Sequence, residues 1–241
     1  MNDRPIAIFD SGLGGLTVVR EVRRRLPGED IVYFGDTARV PYGSKSPQTV
    51  LRFANEVCNF LLRFEPKLII AACNTASALA LDALEKELPV PVLGVVRPGA
   101  SQAVLRSGGR TIGVIATEAT VNSHAYARAI HALSPRLPVI EEACPSLVAV
   151  IEEGRDAHDP IVRMLLEDYL AKIRILNPAV VVLGCTHYPL IRQGVAEVLG
   201  DHVILVDSAE STAREAEQVL THGTALSRRN AGGTLQCSVS D

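Results

Sequence analysis

The 241-residue chain is 47% hydrophobic and 21% charged, a globular composition with room for one large domain or two ordinary ones. Its net charge of −3 offers no electrostatic hold on nucleic acid or an anionic membrane. Only four lysines are present (Lys45, Lys67, Lys86 and Lys172), so a Schiff-base cofactor would have few anchoring points.

In chain order, MNDRPIAIFD enters a strand at 6–10 without the long apolar stretch of a signal peptide. A glycine-rich turn, DSGLGG, opens a helix over 15–26. It matches neither GxGxxG nor GxxxxGK[ST], so Gly12, Gly14 and Gly15 read as a tight strand-to-helix turn. A second strand at 31–35 leads to the loop VPYGSKS, whose Pro41, Tyr42 and Gly43 could present backbone N–H groups and a phenol to a small anion. A helix over 47–64 and a strand at 67–72 follow, then Cys73 and a helix over 75–88. Further strands fall at 91–95, 111–116, 138–142, 179–184 and 202–207, with helices over 121–133, 160–176, 189–199 and 209–221. Alternation of this kind predicts an α/β fold with parallel sheets. No segment approaches ~20 uninterrupted apolar residues, which predicts no transmembrane helix. The five cysteines are widely spaced and form no CxxC pair, which predicts neither a disulfide framework nor a zinc site and suits a reducing cytoplasm.

The two halves resemble each other. EPKLIIAACNTA (65–76) lies over NPAVVVLGCTHY (177–188), aligning Cys73 with Cys185. At a slightly different offset, IAIFDS (6–11) lies over IGVIAT (112–117) and IVYFGD (31–36) over LPVIEE (137–142). The pattern predicts two similar, pseudo-symmetric α/β domains with helix-flanked central parallel sheets. The first would span 1–97, with 208–241 packing back on it, and the second 98–207. The active site would lie in the cleft between them.

Cys73 and Cys185 each end a predicted strand and precede a helix, where reacting groups gather in open α/β sheets. The positive end of a helix lowers a thiol pKa toward neutrality. Either cysteine alone reads as core packing. Two at equivalent places, followed by Asn74-Thr75 and Thr186-His187, read as a functional pair. Local spacing supplies too few ligands for a metal. Two opposed thiols could instead remove a proton from one face of a substrate and deliver one to the other, inverting a stereocentre. Asn74, Thr75, Thr186 and backbone N–H groups could hydrogen-bond the resulting carbanion. Asp10 fits two roles equally, proton partner of a thiol or helix cap. His187 fits a proton partner of Cys185 better than a core histidine. Glu152, in VIEEGRD, reads as a solvated glutamate by this logic.

FDSGLGGLTV, YFGDTARVPYGSKS, AACNTASA and LGCTHYPL, in this order and spacing, resemble the cofactor-independent aspartate/glutamate racemase superfamily, and within it the glutamate racemases. The likeness covers nearly the whole chain, and His187 stands where aspartate and hydantoin relatives typically carry glutamate. The resemblance implies a cytoplasmic isomerase that interconverts L- and D-glutamate without cofactor or metal and supplies D-glutamate for peptidoglycan precursors. Cys73 would act on the D-enantiomer with Asp10, and Cys185 on the L-enantiomer with His187 and Glu152. Asp10, Ser11, Pro41, Tyr42, Gly43, Asn74, Thr75, Thr117, Thr186 and His187 would bind substrate. The implied partner is this small molecule, with neither nucleic acid nor a membrane required and a homodimer compatible. Cys237 matches no family position. A related aspartate or hydantoin racemase and a non-enzymatic amino-acid binding protein are the alternatives.

Overall fold

The computed structural model describes residues 3–241. In chain order the elements are β1 (Ile6–Asp10), α1 (Leu16–Arg25), β2 (Ile31–Gly35), α2 (Pro47–Leu61), β3 (Leu68–Ala71), α3 (Asn74–Leu79), α4 (Leu81–Glu87) and β4 (Val92–Gly94). There follow α5 (Val96–Ser107), β5 (Ile112–Ala116), α6 (Glu118–Asn122), α7 (Ala125–Leu133), β6 (Val139–Ala143), α8 (Leu147–Glu152) and α9 (Pro160–Leu176). The chain closes with β7 (Val180–Gly184), α10 (Arg192–Leu199), β8 (Ile204–Asp207), α11 (Ala209–His222) and β9 (Leu235–Val239).

Two parallel sheets result. The first runs β4-β3-β1-β2-β9 and the second β6-β5-β7-β8. Read from the opposite edge, the second sheet repeats the first with β5, β6, β7 and β8 in the places of β1, β2, β3 and β4. Register places Ile6 beside Leu68 and Ile31, and Ile112 beside Val180 and Val139. Cys73 and Cys185, two residues beyond β3 and one beyond β7, therefore occupy equivalent positions. Residue 31 corresponds to residue 139, so the sequence pairing of 31–36 with 137–142 is two residues out of step. A β-strand tolerates no slip of odd length without turning its faces over, but a slip of two preserves the pattern and is invisible to it.

The central strands are buried along their whole length, as sheets covered on both faces require. Alternate residues serve opposite layers. Ile6 and Ile8 pack with α1 and α11, while Ala7 and Phe9 pack with α2 and α3. In the second sheet Val181 and Leu183 meet α8, α9 and α10, while Val180 and Val182 meet α5 and α7. Each such aliphatic side chain contributes roughly 1.5–3 kcal/mol by burial, so the strand ends that carry the cysteines stand on the rigid part of the molecule. No helix among the described residues is long and apolar enough to cross a membrane.

Local chemistry explains the helix limits. Ser46 caps α2 by accepting from Thr49 N at 3.2 Å, and Pro47 occupies the first turn. Asp159 and Pro160 do the same for α9, which stops at Asn177 in the left-handed region. The helix expected over 121–133 divides at His124 (φ 52°), and that over 75–88 divides at Ala80. The sequence reading contains neither α5 and α8 nor β9. Pro98 and Gly99 disguise α5, and β9, an edge strand with mostly exposed or half-buried residues, has no apolar run.

Candidate active site

A small enclosed space lies between the carboxyl ends of the two sheets. Ser11, Cys73, Asn74, Thr75 and the loop Pro41-Tyr42-Gly43 line it from the first half. Thr117, Val148, Cys185, Thr186 and His187 line it from the second. Its volume, about 10 Å³, suffices for roughly one water molecule. The lining contains no lysine or arginine, which leaves His187 as the one basic side chain an anionic ligand would meet there.

Asp10, at the end of β1, is fully buried. Its Oδ2 accepts the N–H groups of Gly12 and Gly15, each at 3.1 Å, and its Oδ1 accepts from Thr186 Oγ1 at 3.3 Å. One carboxylate thus closes the turn before α1 and reaches into the opposite half. Burial raises its pKa, against the opposing pull of His187, the two N–H groups and Thr186. Cys73 Sγ lies 3.7 Å from Ser11 Oγ. Burial, reinforced by the Asp10 charge, pushes its thiol up to about 12. The expected depression by a helix terminus is overturned here: α3 has only six residues, and desolvation outweighs its field.

Cys185 has different company. Its Sγ is 3.7 Å from His187 Nδ1, and His187 Nε2 is 2.5 Å from Glu152 Oε1. Burial disfavours a charged ring, but the bond to Cys185, the charges of Cys185 and Asp10 and the bond to Glu152 prevail and raise His187 to about 10. Ahead of Cys185 lies a single 3₁₀ turn, Tyr188–Ile191, where the sequence predicts the start of a helix. Glu152 ends α8 and is partly exposed, whereas its neighbour Glu153 pairs with Arg155 at 3.0 Å. Sequence logic set Glu152 aside because α8, the element that aims it at His187, was not legible.

The glycines serve contact rather than backbone freedom. Neither Gly14 nor Gly15 has a positive φ. A Cβ on Gly14 would stand 2.5 Å from Thr186 Oγ1 and 2.8 Å from His187 Nδ1, and one on Gly43 would stand 2.5 Å from Thr117 Cβ. Both sites let the first half approach the second. Tyr42 borders the cavity, but its hydroxyl donates to the buried Asp36 carboxylate. What that loop offers a ligand is therefore backbone.

Two side-chain clusters cross the cleft. Thr75, Thr117 and Thr120 hydroxyls lie 2.9–3.2 Å from one another, and the Tyr126 hydroxyl donates to Asn74 Oδ1 at 2.6 Å. The sequence reading contains neither Thr120 and Tyr126 nor Val148. Thr120 carried a signal, standing one helical turn beyond Thr117, but nothing local marks Tyr126 or Val148. Among the described residues, no group of three or more His, Cys, Asp or Glu side chains is arranged to hold a metal ion.

A family model described as Asp/Glu/Hydantoin racemase matches residues 16–216. A glutamate racemase of Geobacter metallireducens is 46% identical over 238 residues, covering 99% of this chain and 88% of its own length. The structure of glutamate racemase isoform RacE1 from Bacillus anthracis superposes with TM-score 0.94 at 36% identity, covering 100% of this chain and 90% of that one. That of a Francisella tularensis glutamate racemase in complex with D-glutamate gives 0.93 at 39% identity, covering 100% and 89%. With the sheets, the paired cysteines and these likenesses in agreement, the chain belongs to the aspartate/glutamate/hydantoin racemase family, on the side of its glutamate racemases.

Proposed function

We propose that the protein interconverts L- and D-glutamate by two-thiol proton transfer at Cα. The observation that supports this most is the pair of cysteines at equivalent register positions lining one cavity. In the L-to-D direction the Cα–H bond breaks as Cys185 sulfur takes the proton, and the Cys73 S–H bond breaks as its proton forms a new C–H bond on the opposite face. The reverse direction exchanges the roles. The imidazolium of His187, with Nδ1–H toward Cys185 and Nε2–H toward Glu152, stabilises negative charge on that sulfur. Cys73, buried beside Asp10, keeps its proton and stands ready as the acid.

As the proton leaves, negative charge moves into the substrate carboxylate, where Thr75 and Thr117 supply neutral donors, while Asn74 holds the substrate in ground and transition states alike. The cavity is smaller than glutamate, so binding includes a parting of the two halves. We assign residues 1–97 with 208–241 to one moving unit and 98–207 to the other. The reading includes a role in supplying D-glutamate for peptidoglycan precursors, a cytoplasmic setting that keeps the thiols reduced, and room for a homodimer.

The test is incubation of purified protein with L-glutamate in D₂O without added cofactor. NMR should show loss of the Cα proton, and chiral analysis should show D-glutamate labelled at Cα. Folded protein that does neither rejects the reading. Turnover of aspartate or a hydantoin instead would redirect it within the family, and binding without exchange would make the protein a receptor.

A further inference from the structure

Tyr126 is completely buried on the first turn of α7, where both passages of the chain between the sheets converge. The first passage leads from β4 into α5, and Gly99 of α5 faces the tyrosine: a Cβ there would lie 3.4 Å from its Cε1 and Oη. The second leads from β8 into α11, and the Ser208 side chain at that junction sits beside the same glycine, 3.2 Å from the position of an added Gly99 Cβ. The ring edge also lies against Gly184, where an added Cβ would meet Cε2 at 3.1 Å. Gly184 directly precedes Cys185, and Asn74, which accepts from the hydroxyl, directly follows Cys73. One side chain therefore touches the segments that carry both thiols, where both chain crossings meet.

We infer that Tyr126 is a positioning residue that orients the Asn74 amide for substrate when the two halves close, an inference that rests on the racemase reading above. A phenol has one proton to give. That proton goes to Asn74 Oδ1, which selects one of the two amide flips. The amide NH₂ is then free to donate to a ligand in the cavity that Asn74 lines. Because Asn74 belongs to the first sheet's half and Tyr126 to the second's, the correct flip is fixed when the halves meet. Substrate binding and closure are coupled through this one hydrogen bond.

The experiment compares steady-state kinetics of Tyr126→Phe, Asn74→Ala and the double variant in both directions. Tyr126→Phe keeps the ring as a spacer and removes only the donor. It should raise KM for both enantiomers roughly five- to tenfold, the worth of one neutral hydrogen bond, with kcat within about twofold because the lost contact serves ground and transition states alike. In the Asn74→Ala background the same change should leave KM unmoved. An unchanged KM in the single variant, or an equal rise in both backgrounds, overturns the inference. Asn74→Asp, which keeps an acceptor for the phenol but removes the amide NH₂, should raise KM by at least as much. It decides the matter should Tyr126→Phe not fold, and an unchanged KM there counts against the inference. No turnover by the unmutated protein would instead remove the racemase reading, and this inference with it.

Discussion

The two halves share a strand order and a register, yet they surround their cysteines with opposite electrostatics. Asp10 ends β1, and Ala116 ends the equivalent strand β5. His187 stands two residues beyond Cys185, and Thr75 stands two residues beyond Cys73. Each half thus contributes one titratable helper, but at different positions and of different kind. The buried carboxylate makes a thiolate at Cys73 costly, while the group beside Cys185 is an imidazole held in its charged form. The scaffold is symmetric about the two thiols, and the groups that attend them are not.

The largest effect expected from breaking this comparison comes from the sulfurs. Cys73→Ala and Cys185→Ala should each lower racemisation by at least about a thousandfold, within the range for removal of a general acid or base. What survives should differ between them. With Cys185 alone the protein should wash deuterium into L-glutamate only, and with Cys73 alone into D-glutamate only. The readout is Cα-proton exchange measured separately for each enantiomer, and the same enantiomer responding in both variants would refute the assignment of faces.

Removing the charged ring sharpens the comparison further. His187→Gln should lower kcat/KM about a hundredfold. L- and D-glutamate have equal free energies in solution, so kcat/KM must fall equally for both, and any asymmetry must divide between kcat and KM. The pH profile carries the sign. His187 is protonated in the fold up to about 10, so the activity that depends on its charge is present below that pH and is lost as pH rises through it. This alkaline limb should vanish in the variant. Stability follows the same direction: a group raised from 6.5 to about 10 stabilises the fold fully below 6.5 and loses that contribution as pH rises through 10. Melting curves at pH 6 and pH 10 should therefore differ less in His187→Gln than in the parent.

Reading the sequence alone places all eight core strands within one or two residues, because buried parallel strands announce themselves as β-branched runs, and the half-buried β6 follows from its place in the alternation. The cysteines were legible for the same reason: each interrupts such a run where it should end. What escaped depends on the partner half. Tyr126 is an ordinary amphipathic-helix residue until Asn74 is placed opposite it, and Glu152 is an ordinary surface glutamate until α8 aims it at His187. The direction of the Cys73 shift escaped because local sequence shows a helix terminus but not the depth of burial above it. Gly14 and Gly43 read as turn residues, although the contacts that forbid a side chain there lie more than seventy residues away in the chain.

The smallest expected effect concerns an edge strand that the halves do not share. β9 covers the outer edge of β2, and the corresponding edge of β6 has no strand. Asp30 holds it there: its carboxylate accepts from Thr234 N at 2.7 Å and Thr234 Oγ1 at 2.8 Å, and pairs with Arg229 at 2.7 Å. By register, Pro138 occupies that place in the second half and offers no such acceptor. Chiefly the Arg229 bond, with the Thr234 N–H, lowers Asp30 to about 2, so its contribution is present above the ordinary 3.8 and is lost as pH falls through 2. The carboxylate is partly exposed and screened by solvent, which keeps the effect modest. Asp30→Ala should lower Tm by about 2–4 °C and speed backbone amide exchange along β9, while leaving kcat and KM for both enantiomers unchanged. A change in kcat or KM alongside the faster exchange would mean that the fifth strand helps to set the cleft, and that the asymmetry between the halves reaches the thiols through the backbone as well as through charge.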